Sequence, residues 1–191
     1  RAAVLVPWAI PTAITAKLWA FLFSEQGIVN SIFHAHVAWQ TDPWAARFSI
    51  ILADVWKTTP FMALLILAGL QMIPKDLYEA ARMDGANAWQ RFTRITLPLA
   101  KNSIIVAVLF RMLDALRMYD LPYIMVGPNP DSPTATLSQL VVAAIRQDHV
   151  NAASALSTLI FLLIFLIALC FVKSLGSKVA HQAEPVVAEE E

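Results

Sequence analysis

The sequence predicts an all-α membrane protein, a polytopic bundle of about four transmembrane helices with one polar module between two of them. Hydrophobic residues make up 58% of the 191 residues and charged residues only 15%, whereas about a quarter of the residues in a soluble domain are charged. Several apolar runs reach the ~20 residues that a helix needs to cross a bilayer. Positive charge is concentrated on alternate connections between these runs, as in multi-pass membrane proteins.

Four apolar runs are predicted to span the membrane. The first covers roughly residues 3–23, and the second covers roughly residues 48–72. The third, which carries the most charge, covers roughly residues 102–120. The fourth, residues 150–172, has no charged side chain. Each run is close to the ~20 residues, at about 1.5 Å per residue, that bridge a hydrocarbon core.

The distribution of lysine and arginine predicts the orientation. With four spans, the N-terminus, the connection between spans two and three, and the C-terminal tail lie on one side. That side carries Arg1, Lys75, Arg82, Arg91, Arg94, Lys101, Lys173 and Lys178. The other connections hold only Arg47 and Arg146. The positive-inside rule therefore places the polar module and the C-terminus in the cytoplasm.

The chain is predicted to consist of a transmembrane domain, residues 1–172, and a polar cytoplasmic tail, residues 173–191, without regular structure. It begins with Arg1 rather than Met. We therefore expect earlier residues to precede it in the full protein.

Composition and motifs argue against several other classes of protein. The net charge is zero, so no basic field would attract nucleic acid. The one cysteine, Cys170, cannot form an internal disulfide. His34 and His36 alternate but lack a third ligand at suitable spacing, so we expect no metal site. No catalytic motif occurs, and we expect a protein that is not an enzyme.

The polar module reads IPKDLYEAARMDGANAWQRFTRITLP and comprises residues 74–98 after its leading Ile. Gly85 is expected to end a first helix, because glycine accepts a left-handed backbone. Asn87 and Gln90 have the spacing of a capping box for a second helix. Pro98 is expected to close that helix, with the preceding Leu97 in extended geometry.

Two interpretations of the polar module remain open from its pattern. The small side chains Ala80, Ala81 and Ala86 allow another backbone to approach closely, which suits a knob that docks into a cleft on a partner. Alternatively, the module is an amphipathic helix on the membrane surface that only connects two spans.

The polar module resembles the EAA motif of permease subunits in bacterial ABC importers. The matching residues are Glu79, Ala80, Ala81, Asp84, Gly85, Ala86, Phe92, Ile95, Leu97 and Pro98. The segments DVWKTTPFMALLILAGLQMIPKDLYEAA and YDLPYIMVGPNPDSPTATL are similar to the carbohydrate-uptake branch, which includes maltose and glycerol-phosphate permeases. Within that branch the chain resembles permeases of mycobacterial trehalose importers. The family has about six core spans, whereas four are predicted here.

The resemblance implies a type I ABC-importer permease fold in the bacterial inner membrane and a non-catalytic role in sugar import. A second permease subunit completes the pathway, and two ATPase subunits bind ATP and Mg²⁺, so this chain itself binds no cofactor. An extracytoplasmic sugar-binding protein or lipoprotein delivers the sugar. The polar module is then the coupling helix that docks on an ATPase subunit. Gly85 sets the angle between its helices, and Phe92 and Ile95 pack the second helix against the permease body.

Charged and aromatic residues in or near the spans are candidates for the translocation pathway, because charge inside a membrane is costly. The candidates are Asp54, Lys57, Arg111, Asp114, Arg117, Tyr119 and Asp120. Asp54 and Lys57, at i,i+3 spacing, are expected to pair, and Asp114 can neutralise Arg111 or Arg117. A sugar pathway and self-neutralised pairs facing a partner subunit remain equal alternatives.

Tryptophans near the predicted spans are further candidates for sugar binding. Trp8, Trp19 and Trp56 could stack on sugar rings, although packing or interface anchoring is the commoner role of tryptophan.

Three other functions are compatible with the residues. One is an ion-coupled secondary transporter in which Asp54 or Asp114 relays protons. Another is an ABC permease for a different solute such as glycerol phosphate, and a third is a membrane scaffold whose polar module binds a cytosolic partner. The polar module discriminates among them, since a secondary carrier needs no ATPase-docking element and a scaffold needs no charged spans.

Overall fold

The structure is a computed structural model that describes residues 5–34 and 36–180, with side chains described as far as Lys173. All regular structure in these ranges is helical, which confirms the predicted all-α class. The helices are α1 (Val6–Ala9), α2 (Thr12–Leu22), α3 (Ile28–Phe33), α4 (Pro43–Gln71), α5 (Lys75–Met83), α6 (Ala88–Arg91), a π-helical turn (Phe92–Thr96), α7 (Leu97–Leu116), α8 (Asp120–Met125), α9 (Leu137–Arg146) and α10 (Val150–Ala180).

Three helices in the described ranges are long and apolar enough to cross a membrane, rather than the four predicted. They are α4, the continuous helix Ala88–Leu116 made by α6, the π turn and α7, and the Val150–Lys173 part of α10. The predicted second and fourth spans are confirmed. Helix α4 begins earlier than expected because the Asp42 side chain caps it, accepting hydrogen bonds from the amides of Trp44 and Ala45.

The prediction of a first span over residues 3–23 is wrong for the part that the structure describes. The helix is interrupted between α1 and α2, where Ile10 and Pro11 have extended backbones. The proline ring disfavours helical geometry at the residue before it. Helix α2 has 11 residues, about 16 Å of helix, which is roughly half of a hydrocarbon core. The Ile10 carbonyl at the break accepts a hydrogen bond from Lys57 Nζ of α4.

The third predicted span differs from the structure at both ends. Leu97 is helical, with φ −64° and ψ −45°, so the expected extended geometry before Pro98 is wrong. The π turn accommodates the proline: the Leu97 amide donates to the carbonyl of Phe92, five residues back, and the helix continues. The helix ends at Leu116, so Tyr119 and Asp120 lie beyond the span.

The C-terminal part also differs from expectation, because α10 continues beyond Val172 to Ala180. The remainder of the predicted polar tail, residues 181–191, lies outside the described residues, as does Arg1.

The buried core lies where α2, α4 and α8 meet. Its buried members are Ala16, Phe23, Ile50, Ala53, Leu121 and Met125. Trp39, in the connection before α4, packs its ring against Phe23 at a centroid distance of 4.9 Å. This cluster fixes the short helices α2 and α8 against the N-terminal half of the long helix α4.

Helices α4 and α7 pack closely at the end of α4 that leads into the polar module. A Cβ atom placed on Gly69 would lie 2.0 Å from Ser103 Oγ and 2.2 Å from Ser103 Cβ, well inside normal contact distances. Glycine therefore permits the close approach, as small residues commonly do between membrane helices. The close contact places α7 directly beside α4.

Candidate functional site

Helix α5 of the polar module ends in a Schellman motif. Gly85 has φ +75°, and its amide donates to the carbonyl of Arg82 at 3.0 Å. The amide of Ala86 donates to the carbonyl of Ala81 at 2.9 Å. These two bonds satisfy carbonyls that the helix end leaves unpaired. The predicted helix end at Gly85 is confirmed, and the reversal sets the direction of the chain entering α6.

Helix α6 begins with the predicted capping box. The Gln90 amide donates to Asn87 Oδ1, and the Asn87 amide donates to Gln90 Oε1, both at 2.8 Å. Arg91 Nη1 also donates to the Ala86 carbonyl at 2.7 Å. Because both sides of the Gly85 turn are hydrogen-bonded, α5 and α6 are held at a fixed angle to each other.

The two halves of the polar module are joined by a side-chain hydrogen bond. The hydroxyls of Tyr78 on α5 and Thr96 in the π turn are hydrogen-bonded at 2.9 Å. A cleft of about 340 Å³ runs between the two helices. Its lining residues are Ala81, Asp84, Gly85, Ala86, Gln90, Arg91, Arg94 and Ile95. Glu79 and Ala80 are exposed on the outer side of α5, and Glu79 has no hydrogen-bond or ion-pair partner among the described residues.

Two aromatic residues of the module, Trp89 and Phe92, are exposed. Phe92 is exposed, and its ring tilts against Trp89 of the same helix at 5.8 Å. The expected packing of Phe92 against the permease body is therefore not present among the residues that the structure describes. Leu97 and Pro98 are also exposed, whereas Ile95 is half-buried. The module thus presents apolar and charged side chains together on one projecting surface.

Charged residues from α4 and α7 form an ion-paired cluster within the spans. Arg111 donates to Asp54 on α4 and, at 3.0 Å, to Asp114 on its own helix. The expected pair of Asp54 with Lys57 is wrong: the close packing of α7 brings Arg111 to Asp54, while Lys57 reaches the Ile10 carbonyl. Asp114 neutralises Arg111 rather than Arg117.

Two cavities flank this charged cluster. The large cavity, about 390 Å³, is lined by Trp8, Thr58, Phe61, Met62, Phe110, Arg111, Leu113, Asp114, Arg117 and Ile164. The small cavity, about 190 Å³, is lined by Thr12, Asp54, Lys57, Thr58, Asp114, Arg117, Met118, Tyr119, Asp120 and Leu121. Thr58, Asp114 and Arg117 line both, so the cavities adjoin. All seven pathway candidates line one or both of them.

Sequence reasoning missed Phe61 and Thr58 as cavity residues. The ring of Trp8 on α1 stacks on Phe61 at 5.5 Å with planes 10° apart, which gives the large cavity an aromatic wall. Of the other tryptophans considered, Trp19 and Trp56 pack edge to face at 5.8 Å. The sequence around Phe61 does not mark it as a cavity residue, because its contact with Trp8 depends on the helix interruption at Pro11, which turns α1 toward α4.

The end of the small cavity near α8 is held by side-chain hydrogen bonds. Thr136 Oγ1, at the start of α9, donates to the Met118 carbonyl at 2.8 Å, and Ser138 Oγ donates to the Arg117 carbonyl at 3.2 Å. Burial, followed by the neighbouring Tyr123, raises the pKa of the Tyr119 phenol above its usual value. The Tyr119 phenol is therefore protonated at physiological pH, and the residue lines the small cavity.

Comparisons with known proteins agree with this geometry. The family model described as "Binding-protein-dependent transport system inner membrane component" matches residues 1–181. The trehalose/maltose transport system permease protein MalF of Thermococcus litoralis is 44% identical over 178 residues, which cover 91% of this chain and 60% of that protein. The trehalose transport system permease protein SugA of Mycobacterium tuberculosis is 38% identical over 179 residues, covering 93% of this chain and 58% of that protein.

A solved structure has the same fold. A chain from a bacterial ABC transporter involved in the import of the acidic polysaccharide alginate superposes with a TM-score of 0.81 at 26% identity. The match covers 91% of this chain and 63% of that chain. The predicted type I importer permease fold and the resemblance to trehalose permeases are thus confirmed. The chain spans about 60% of the length of the curated relatives that it matches.

The Arg111 ion pairs predict a measurable coupling between α4 and α7. Arg111→Met leaves Asp54 uncompensated in a low-dielectric site, and we expect the free energy of unfolding to fall by about 3–5 kcal/mol. Adding Asp54→Asn should restore much of that loss, because it removes the unpaired charge. Denaturant unfolding of the purified protein in detergent measures the double-mutant cycle. Strictly additive effects of the two substitutions would show that the pair contributes no coupling.

Proposed function

The chain belongs to the family of binding-protein-dependent transport system inner membrane components, and from this premise we propose that it is the non-catalytic permease subunit of an ATP-driven sugar importer. The observation that carries the proposal is one continuous helix, Ala88–Leu116. One end of this helix is the second half of the polar module, and the other end carries Arg111 and Asp114 at the cavities. A single rigid element therefore joins a docking surface to a polar pathway.

The polar module is proposed to dock on a cytoplasmic ATPase subunit. Its exposed Glu79 is available for an ion pair, and its small residues allow close approach of another backbone. The matching family motif comprises Glu79, Ala80, Ala81, Asp84, Gly85, Ala86, Phe92, Ile95, Leu97 and Pro98. Phe92, exposed here, is available to pack against a partner. Lys75, Arg82, Arg91 and Arg94 on and beside the module favour its placement in the cytoplasm.

Transport is proposed to follow from movement of this docked module. ATP and Mg²⁺ bind in the two partner ATPase subunits, whose closure displaces the module. The helix Ala88–Leu116 transmits that displacement over about 36 Å from Asn87 to Arg111, at 1.5 Å per residue. The spans then rock as rigid bodies, and the pathway alternates between inward-facing and outward-facing states.

The cavities are proposed to hold a sugar, with a disaccharide such as trehalose as the candidate. Sugars present C–H faces that stack on aromatic rings and hydroxyls that bond to charged groups. The large cavity offers the Trp8–Phe61 wall together with Arg111, Asp114 and Arg117. Its volume of about 390 Å³ lies within the ~300–1,000 Å³ of typical small-molecule sites. The permease names of the two relatives support the same substrate class.

Other subunits complete the proposed transporter in the cell membrane. A second permease subunit supplies the other half of the pathway, and an extracytoplasmic sugar-binding protein or lipoprotein delivers the sugar. The membrane-spanning part of α10 exposes large apolar side chains such as Leu159, Phe161 and Leu166. These side chains are available to lipid and to the second permease subunit.

An import substrate that carries a phosphate, such as glycerol phosphate, is the second candidate. It is favoured by Arg117, which lines both cavities and has no ion-pair partner among the described residues. An ion-coupled carrier is less favoured, because Arg111 is paired with both carboxylates that would have to bind and release a proton.

The docking role of the polar module predicts that its disruption uncouples transport. We expect Gly85→Asp and Glu79→Lys each to lower sugar uptake roughly tenfold or more, which corresponds to about 1.4 kcal/mol of docking free energy. At Gly85 the cause is the positive φ, which a residue with a Cβ adopts at a cost, smaller for Asp than for most residues. Uptake by reconstituted complex, with membrane insertion measured in parallel, tests this expectation.

The matched control for Glu79→Lys is Glu25→Lys, the same charge reversal at an exposed residue near the other end of the spans. Uptake by this control variant should equal that of the unmodified protein. Normal uptake by the Gly85→Asp complex would refute the coupling role, and loss of uptake in both charge reversals would show a general effect of charge.

The aromatic wall predicts a specific effect on the maximal rate of sugar uptake. We expect Trp8→Ala to lower that rate roughly two- to tenfold, in line with about 0.5–1.5 kcal/mol for an aromatic contact. Trp8→Phe should retain most of the rate, and Trp44→Ala, at an exposed tryptophan outside the cavities, should leave it unchanged.

Asp114→Asn should also lower uptake at normal expression. A panel of sugars and glycerol phosphate identifies the substrate, and unchanged rates for Trp8→Ala and Asp114→Asn would exclude the cavity.

A further inference from the structure

Helix α3, which lies between α2 and the start of α4, has one polar side and one apolar side. Asn30 is only 6% exposed, and its Nδ2 donates to the carbonyls of Glu25 and Val37 at 3.1 and 3.0 Å. Ile28, Ile32 and Phe33 are 49%, 66% and 74% exposed. Asn30 is therefore turned toward its own connection, and Val29 packs against the core. Ile28, Ile32 and Phe33 are the apolar side chains of α3 that remain exposed.

The polar side of α3 also borders a water-accessible cleft. This cleft, of about 510 Å³, is lined by Glu25, Gln26, Asn30, Ser31, His34 and His36. At 100° per residue, Asn30, Ser31 and His34 fall on one side of the helix, while Ile28, Ile32 and Phe33 fall on the other. Such a helix is suited to a boundary between water and an apolar phase.

Hydrogen bonding and ring packing fix α3 at the level of the first turns of α4. Trp39 Nε1 donates to Asn30 Oδ1 at 2.7 Å, and the Trp39 ring contacts Phe48 of α4 at 6.2 Å. Trp44, in the first turn of α4, lies under the Arg47 guanidinium at 5.0 Å. Tryptophan and arginine at the end of a membrane-spanning helix mark the bilayer interface. Helix α3 is thus joined to the part of α4 that enters the bilayer.

We propose that α3 is an interfacial helix whose Ile28, Ile32 and Phe33 insert into the lipid of the leaflet at the α4 N-terminal end. Trp44 and Phe48, in the first turns of α4, are likewise exposed apolar residues. Because these side chains lie at the level where α4 enters the bilayer, beside Trp44 and Arg47, lipid is the occupant that the surface fits.

The charge of the segment defines which lipids it recognises. Residues 26–41 contain no Asp, Glu, Lys or Arg, so insertion relies on apolar contact rather than on attraction to anionic headgroups. The depth of insertion should therefore be the same in phosphatidylcholine and in bilayers that also contain phosphatidylglycerol, and should not depend on salt.

Spin labels on the two sides of α3 test the proposal in the assembled transporter in nanodiscs. In a Cys170→Ser background, nitroxides are attached at Ile32→Cys and, as the matched control on the polar side, at Ser31→Cys. Both residues are exposed, and Ser31→Cys gives up only the hydrogen bond from Ser31 Oγ to the Gly27 carbonyl. Power saturation with oxygen and with a water-soluble nickel chelate then gives the depth of each label.

We expect the label at residue 32 to lie about 5–10 Å below the lipid phosphates, with a higher oxygen-to-nickel collision ratio than the label at residue 31. A label at Phe33→Cys should repeat the result. Equal nickel access at residues 31 and 32 would place α3 in water and overturn the proposal. Protection of residue 32 from both reagents would show that a protein covers it, which would also overturn the proposal. The depth measurement does not depend on transport activity.

Discussion

The ion pair between Asp54 and Arg111 is the constraint around which the spans are arranged. Separated charges inside a membrane are costly, and pairing them requires α4 and α7 to lie side by side. A second carboxylate, that of Asp114, accepts a hydrogen bond from the same Arg111 at the edge of the cavities. At the other end of the contact, Gly69 lets the backbone of α4 approach Ser103. Electrostatics at one end and close packing at the other thus hold α4 and α7 as one unit.

This unit connects the two surfaces on which the proposed transport role depends. On one side, the Trp8–Phe61 wall and the charged cluster enclose the large cavity. At the end of the unit, α5 and α6 form a hydrogen-bonded projection, since the Schellman motif at Gly85 and the capping box at Asn87 leave little freedom at the turn. The π turn keeps α6 and α7 in one helix despite Pro98. A force applied at the projection therefore reaches Arg111 without crossing a loop.

Local features of this arrangement were predictable from the sequence, and long-range ones were not. The helix end at Gly85 and the capping box at Asn87 depend on neighbouring residues, so their residue types indicate them. The Asp54–Arg111 pair depends on the packing of two helices far apart in the chain, and helical spacing suggested Lys57 instead. The predictions at two prolines were wrong. Pro11 interrupts an apolar run whose composition predicted a span, whereas the helix continues through Pro98 by way of a π turn. The outcome at a proline depends on whether surrounding groups can satisfy the freed carbonyls, which sequence does not specify.

The central claim is that α4 and α7 move as one body when the polar module is displaced. The most direct test is a pulsed-EPR distance between nitroxides at Leu67→Cys on α4 and Lys101→Cys on α7, in a Cys170→Ser background of the reconstituted transporter. Distances are compared between the nucleotide-free and ATP-trapped states, with loss of ATP hydrolysis confirming that trapping is complete. The account predicts the same distance distribution in both states. A shifted distance, or a second population that appears only on trapping, would contradict it.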